Sequence, residues 1–134
     1  MNEKPLVRVV SAEIQREGRY LLVQRPEKAV LPLLWEFPGG RVRDDEQEHE
    51  ALTRAVRARL GVDLRVGERL MEVRHAYPAY EVVLAVYRCD LGDEEPSPVD
   101  VAAIAWVEPA HFADYPFPGA DQATVDALLG IKGS

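Results

Sequence analysis

The sequence predicts an α+β fold, a mixed β-sheet sandwiched between helices, in one domain over residues 1–134. Three observations predict it. Strand-like and helical segments follow the order β-β-α-β-β-β-α, which matches a sheet flanked by helices. The segment Tyr80 to Cys89 is apolar on both faces. Tyr80, Val82, Leu84 and Val86 share one face, and Val83, Ala85 and Tyr87 the other, as in a central strand covered on both sides. Glu48 to Leu60 is helical by pattern, with Leu52, Val56 and Leu60 on one stripe.

Leu6 to Ile14 is rich in valine and reads as a strand. Arg16-Glu17-Gly18 is a turn, and Tyr20 to Gln24 a second strand, so the two predict a hairpin. Pro26 to Leu34 reads as a loop. Trp35 to Phe37 is a short extended piece ending at Pro38-Gly39-Gly40, where the pattern predicts a need for backbone freedom. Asp44 to Glu46 suit a helix start, and Gly61 suits the position just past the helix end. Arg69 to Ala76 and Tyr80 to Cys89 are two more strands. An acidic, proline-containing loop covers Leu91 to Val99, and Ala103 to Val107 is a short strand. Pro109 to Tyr115 predicts one helical turn, and Asp121 to Leu129 a terminal helix.

The helix has a good structural logic of its own. Acidic residues crowd its N-terminal end (Asp44, Asp45, Glu46, Glu48, Glu50) and arginines its C-terminal end (Arg54, Arg57, Arg59), which suits the helix dipole. Glu50 and Arg54 are spaced as an i, i+4 pair.

Composition narrows the classes. Apolar residues at 47% and charged residues at 29% are ordinary for a soluble globular protein. No apolar run approaches a membrane span, and the polar start Met1 to Lys4 predicts no signal peptide. One cysteine, Cys89, fits a reducing cytoplasm. The net charge of −7 argues against a DNA or RNA polymer or an anionic membrane as partner. A small phosphate ligand fits if arginines are locally concentrated. His49, His75 and His111 lack zinc-ligand spacing with Cys89 and read as structural or solvated.

Gly40, Glu46, Arg54, Val56, Gly61 and Val62 fall, at matching spacings, on the pattern G-x5-E-x7-R-E-U-x-E-E-x-G-U, where U is aliphatic. The chain therefore resembles the Nudix hydrolase superfamily, its MutT-like members in particular. The three glutamates that follow the arginine in the pattern are replaced by Ala55, Ala58 and Arg59, so the box is degenerate. The resemblance implies a phosphoanhydride hydrolase in which those carboxylates hold magnesium. Cleaving a pyrophosphate needs its charge neutralised and a water activated, and carboxylate-bound magnesium does both. Carboxylates at i, i+3 and i+4 on a helix converge on one point. Two methyl groups and a guanidinium cannot ligate a cation, so no metal is expected at the usual site. Glu48 lies about two turns from position 55 on the same face. Glu46, Glu48 and Asp100 are the candidates for any unusual metal route, and Asp100 lies where relatives often carry one more acid. The neighbouring run Asp93-Glu94-Glu95 reads as a solvated loop.

The resemblance extends beyond the box. Leu21 to Pro26, Leu34 to Gly40, Ala105-Trp106-Val107 and Pro118 to Asp121 are similar to MutT-type segments around the nucleotide. It implies that Arg25, Phe37 and Asp121 line a base pocket, with an aspartate where the subgroup carries asparagine, and that Arg41 meets phosphates. Read as isolated residues, Phe37 suits the core, Arg25 a solvated strand end, and Asp121 an N-cap. Arg59 would supply in place the positive charge that a metal brings. Three functions compete. One is a binding module for a nucleotide or nucleoside diphosphate derivative, with weak or no hydrolysis. The second is an active Nudix hydrolase with magnesium at a non-standard site. The third is an interaction protein that kept only the fold.

Overall fold

The computed structural model describes residues 4–29 and 32–129. Its centre is β1 (Leu6–Arg16), which lies parallel to β6 (Glu81–Asp90) from Leu6↔Glu81 to Ile14↔Cys89. On its other side β1 pairs first with β4 (Gly39–Arg41), then at its end with β2 (Arg19–Gln24). The β1–β2 hairpin turns at Glu17 and Gly18, both at positive φ (50° and 77°), the backbone sign that tight two-residue hairpins demand. The path β3-β2-β1-β6-β5 completes the sheet, with β7 (Ala103–Val107) on β2. Here β3 is Trp35–Glu36 and β5 is Arg65–Ala76. One parallel pair among antiparallel ones makes the sheet mixed, as the element order predicts.

Alternation along the strands sorts the core. Val10, Ala12 and Ile14 of β1 and Ala85 of β6 pack on Leu52, Val56 and Leu60 of helix α1 (Glu48–Leu60). Val82, Leu84 and Val86 face the other way, against Val7, Val9 and Ala120. A third cluster, Leu22, Phe37, Val107, Phe112 and Val125, lies under α2 (Gln122–Leu128). Both faces are therefore covered. Each large side chain buried this way contributes about 1.5–3 kcal/mol.

Helix α1 has the predicted bounds. Glu50 Oε1 accepts the Gln47 N–H at 2.9 Å, one half of a capping box. Gly61 ends the helix at φ 71° and donates to the Arg57 carbonyl at 3.0 Å. The predicted Glu50–Arg54 pair does not form, because Glu50 is used at the cap and Arg54 turns to Glu46.

Two other expectations are corrected. Gly39-Gly40, expected to need backbone freedom, is a strand with neither glycine at positive φ; Gly39 is needed for close approach. A Cβ on Gly39 would lie 1.9 Å from the Val10 carbonyl oxygen. Asp121 holds the N-cap position of the last helix but does not cap it with its side chain. It sits in helical geometry (φ −86°, ψ −11°) after a short 3-10 turn at Gly119–Asp121, and makes no capping hydrogen bond. The predicted turn near Pro109 is a 3-10 helix over Pro109–Asp114. The predicted loop Pro26 to Leu34 includes Val30 and Leu31, and the predicted polar start includes Met1 to Glu3; these lie outside the described residues.

Candidate functional site

A cavity of about 600 Å³ opens between β1, β4, the start of β6 and the Pro118–Asp121 turn. One wall is apolar, with Val7 and Val9 of β1, Val82 and Leu84 of β6, and the half-buried rings of Tyr77 and Tyr80. Arg25, Glu36, Arg41, Arg59, Asp100 and Asp121 supply its charges. Each arrives from a different segment. Strand pairing sets Glu36 of β3 opposite Val23, so Glu36 lies beside Arg25 just past the end of β2. The Asp121 turn is fixed by the Ala120 N–H, which donates to Tyr77 Oη at 3.0 Å. Gly119 admits the His75 ring, since a Cβ there would lie 2.5 Å from Nε2; His75 thus has a packing role.

Glu36 is the electrostatic centre of the cavity and the residue that sequence reading passed over. Both its oxygens accept from Arg25 Nη1, at 3.2 and 3.1 Å, and Arg59 Nη1 lies 4.0 Å from Oε1. Burial pushes its carboxyl up, and Arg25 and Arg59 oppose the shift. Asp121 is 6% exposed, and its carboxyl is raised well above the ordinary range. Burial is the main cause, the Glu36 charge adds to it, and Arg25 offsets it. Two desolvated carboxyls therefore share the neighbourhood of one guanidinium. Such a site favours a ligand that donates hydrogen bonds to them. The available signal for Glu36 was an acid alternating with apolar Trp35 and Phe37 in a segment with strand periodicity.

Phe37 is 2% exposed. Its ring stacks on Phe117 at 5.7 Å and meets Phe112 edge-on at 6.0 Å, so most of its surface serves the core. Arg41, exposed on β4, lines the cavity and also a second, adjoining cleft of about 490 Å³. That trough runs along Gly40, Arg41, Arg43 and Arg59, with Asp44 as its acidic member.

The three metal candidates separate. Glu46 is clamped by Arg54, whose Nε and Nη2 donate at 2.7 and 2.9 Å, while the Arg43 N–H donates at 3.0 Å. These bonds, the Arg54 side chain first, bring its pKa down to about 2. Arg54 also donates to the Arg41 carbonyl at 2.8 Å, tying helix to β4. Glu48, expected beside the metal face, is instead held by Tyr87 Oη at 2.7 Å, Arg69 at 3.2 Å and Arg8 at 3.8 Å. It fastens the start of α1 to β1, β5 and β6 and does not line the cavity. Of the three, Asp100 alone lines it, from an exposed loop whose backbone N–H donates to the Arg59 carbonyl at 3.1 Å.

On α1 the positions facing Gly40 carry buried Ala55 and half-buried Arg59, with Ala58 exposed beside them. Magnesium needs oxygen ligands, and none is offered there. Among the described residues, no group of three or more His, Cys, Asp or Glu side chains is placed to hold a metal ion. The residues present do not fit the metal centre that the box pattern implies. Among the described residues, no helix is long and apolar enough to cross a membrane.

The chain and its fold have clear relatives. A CTP pyrophosphohydrolase of Escherichia coli K12 is 30% identical over 129 residues, covering 96% of each chain. A MutT protein of the Nudix hydrolase family from methicillin-resistant Staphylococcus aureus 252 is 34% identical, with a TM-score of 0.76 over 96% of this chain and 98% of that one. A MutT protein from Methanosarcina mazei Go1 superposes with a TM-score of 0.84 at 24% identity, covering 97% of each chain, a likeness of fold. The family model for the NUDIX domain matches residues 9–127, and the chain belongs to the Nudix family, among its MutT-like members.

Proposed function

We propose that this chain binds a nucleoside di- or triphosphate and hydrolyses it weakly or not at all. The observation that carries the reading is the replacement on α1. Where the family pattern has metal-holding carboxylates, Ala55, Ala58 and Arg59 stand, and Arg59 joins Arg41 and Arg43 along a cationic trough. The relative that acts on CTP makes a nucleotide the natural ligand class. In this reading the base enters the cavity, beside Tyr77 and Tyr80 and toward Asp121, Glu36 and Arg25. Its N–H groups donate to the carboxyls. The phosphates lie along the trough, where guanidinium groups pair with their oxygens. Phe37 backs the cavity as part of the core. The single cysteine, Cys89, is buried and its thiol pushed up to about 12, so it is inert; we place the protein in the cytoplasm.

A second reading, an active hydrolase with magnesium at a non-standard site, draws on the relative's activity and on the Asp100 carboxylate beside the cavity. One experiment separates the two. Purified protein is incubated with CTP and with GTP in magnesium, and phosphate and pyrophosphate release are followed; melting temperatures with the same nucleotides are measured in parallel without added metal. Stabilisation by nucleotide without turnover at enzymatic rates supports the binding module. Magnesium-dependent turnover at ordinary rates overturns it in favour of the hydrolase. An unchanged melting temperature at millimolar nucleotide leaves only the fold.

A further inference from the structure

We infer that the site takes a polyphosphate free of divalent metal, and that magnesium competes with the protein for it. The inference rests on the nucleotide-binding reading and adds the metal state of the ligand. It comes from the placement of charge along α1 and β4. Arg59 and Arg41 line both the cavity and the trough, and Arg43 extends the trough. Arg41 is exposed and in no ion pair among the described residues. Arg59 is only loosely paired, at 4.0 Å from Glu36. Arg54, which also borders the trough, is already neutralised by Glu46.

A bare polyphosphate offers this trough successive oxyanions, and guanidinium forks match them. Chelating magnesium removes two units of that negative charge. It also brings a dication among the same arginines, where like charges repel. The protein gives that dication little in return. Glu36 is committed to Arg25, Asp121 is deeply buried, and Asp44 and Asp100 stand on separate exposed loops. Arg59 thus does from the protein side what a metal does from the ligand side, and the two exclude each other.

The test is a calorimetric titration of CTP into the full chain, first with excess EDTA and then with excess magnesium chloride at matched ionic strength. Inorganic tripolyphosphate serves as a second probe that lacks a base. The expected result is binding in EDTA and an apparent Kd about tenfold or more higher in magnesium for both probes. Binding that is equal or tighter in magnesium overturns the inference while leaving nucleotide binding intact. No binding in either buffer overturns the binding reading and this inference together. Arg59→Gln should weaken binding in EDTA and shrink the magnesium penalty. A folded variant that keeps the full penalty overturns the role given to Arg59. Should the variant fail to fold, the comparison of buffers on the natural protein still decides.

Discussion

Glu46 and Arg54, two of the box residues, meet each other at 2.7 and 2.9 Å. Ala55, Ala58 and Arg59 begin one residue later, on the flank of the same helix that faces Gly40 and the cavity. Glu46 and Arg54 match the family pattern, and these three positions do not. The difference lies in where each set finds its partners. Glu46 and Arg54 satisfy one another and bind the Arg43 N–H and the Arg41 carbonyl, so they join helix to sheet within the chain. Carboxylates at 55, 58 and 59 would face a cation from outside and repel one another without it. The fold needs the clamp and does not need the metal face, so a helix can lose one and keep the other.

The comparison can be broken from its structural side first. Gly39→Ala places a methyl against the Val10 carbonyl and should cost about 3 kcal/mol or more, read from urea unfolding. A variant as stable as the parent would mean that β4 does not pair with β1 as described. Arg54→Ala should lower the melting temperature by several degrees, because it strips Glu46 of its main partner and the Arg41 carbonyl of a donor.

Acid sharpens the same contrast. The Glu46 carboxyl is lowered from 4.5 to about 2 in the fold, so its contribution is present above about pH 4.5 and is lost as pH falls toward 2. Glu46→Gln should flatten that part of a plot of melting temperature against pH. Asp121 carries the opposite sign. Its raised pKa means that the folded state holds the proton more tightly, so the penalty for ionisation grows as pH rises above the unfolded value of about 3.9. Asp121→Asn should therefore raise the melting temperature at neutral pH, with the gain vanishing below about pH 3.9. No gain at neutral pH would mean that the carboxylate is better compensated than its burial implies.

The smallest stability effect belongs to the metal face. Arg59→Gln removes only a loose, partly exposed pair and should change stability by about 0.2–1 kcal/mol, while weakening phosphate binding measurably. Restoring the pattern with Ala55→Glu, Ala58→Glu and Arg59→Glu should create magnesium affinity, detected by titration calorimetry of the folded variant. A folded variant with no such gain would show that these positions do not converge.

Much of the fold was legible. Helix α1 has its predicted bounds because its stripe and its Gly61 stop are local signals. The two-faced strand β6 was readable because both faces are apolar. Strand β4 was not, because glycines carry no strand signal and Gly39 is chosen for the carbonyl that lies opposite it. The early part of β5 was hidden by irregular register between Val66 and Met71, which breaks the alternation that marks a strand. In the site, Arg25, Arg41, Arg59 and Asp121 could be named from the pattern. Glu36 could not be ranked above other acids, and the Tyr87, Arg69 and Arg8 partners of Glu48 could not be foreseen.

The sequence by itself determined the box spacing, the helix and its stop, the valine-rich strands and the missing carboxylates. All of these are facts of identity and period along the chain. Only the tertiary structure decided which acid meets which base. Tyr87 holds Glu48, Arg54 occupies Glu46, and Arg25 pairs with Glu36 and offsets the charge felt by Asp121. The reason is physical. Ion pairing and desolvation depend on distances set by strand register and by helix packing across the sheet, and residues far apart in sequence carry no local mark of the partner that folding brings to them.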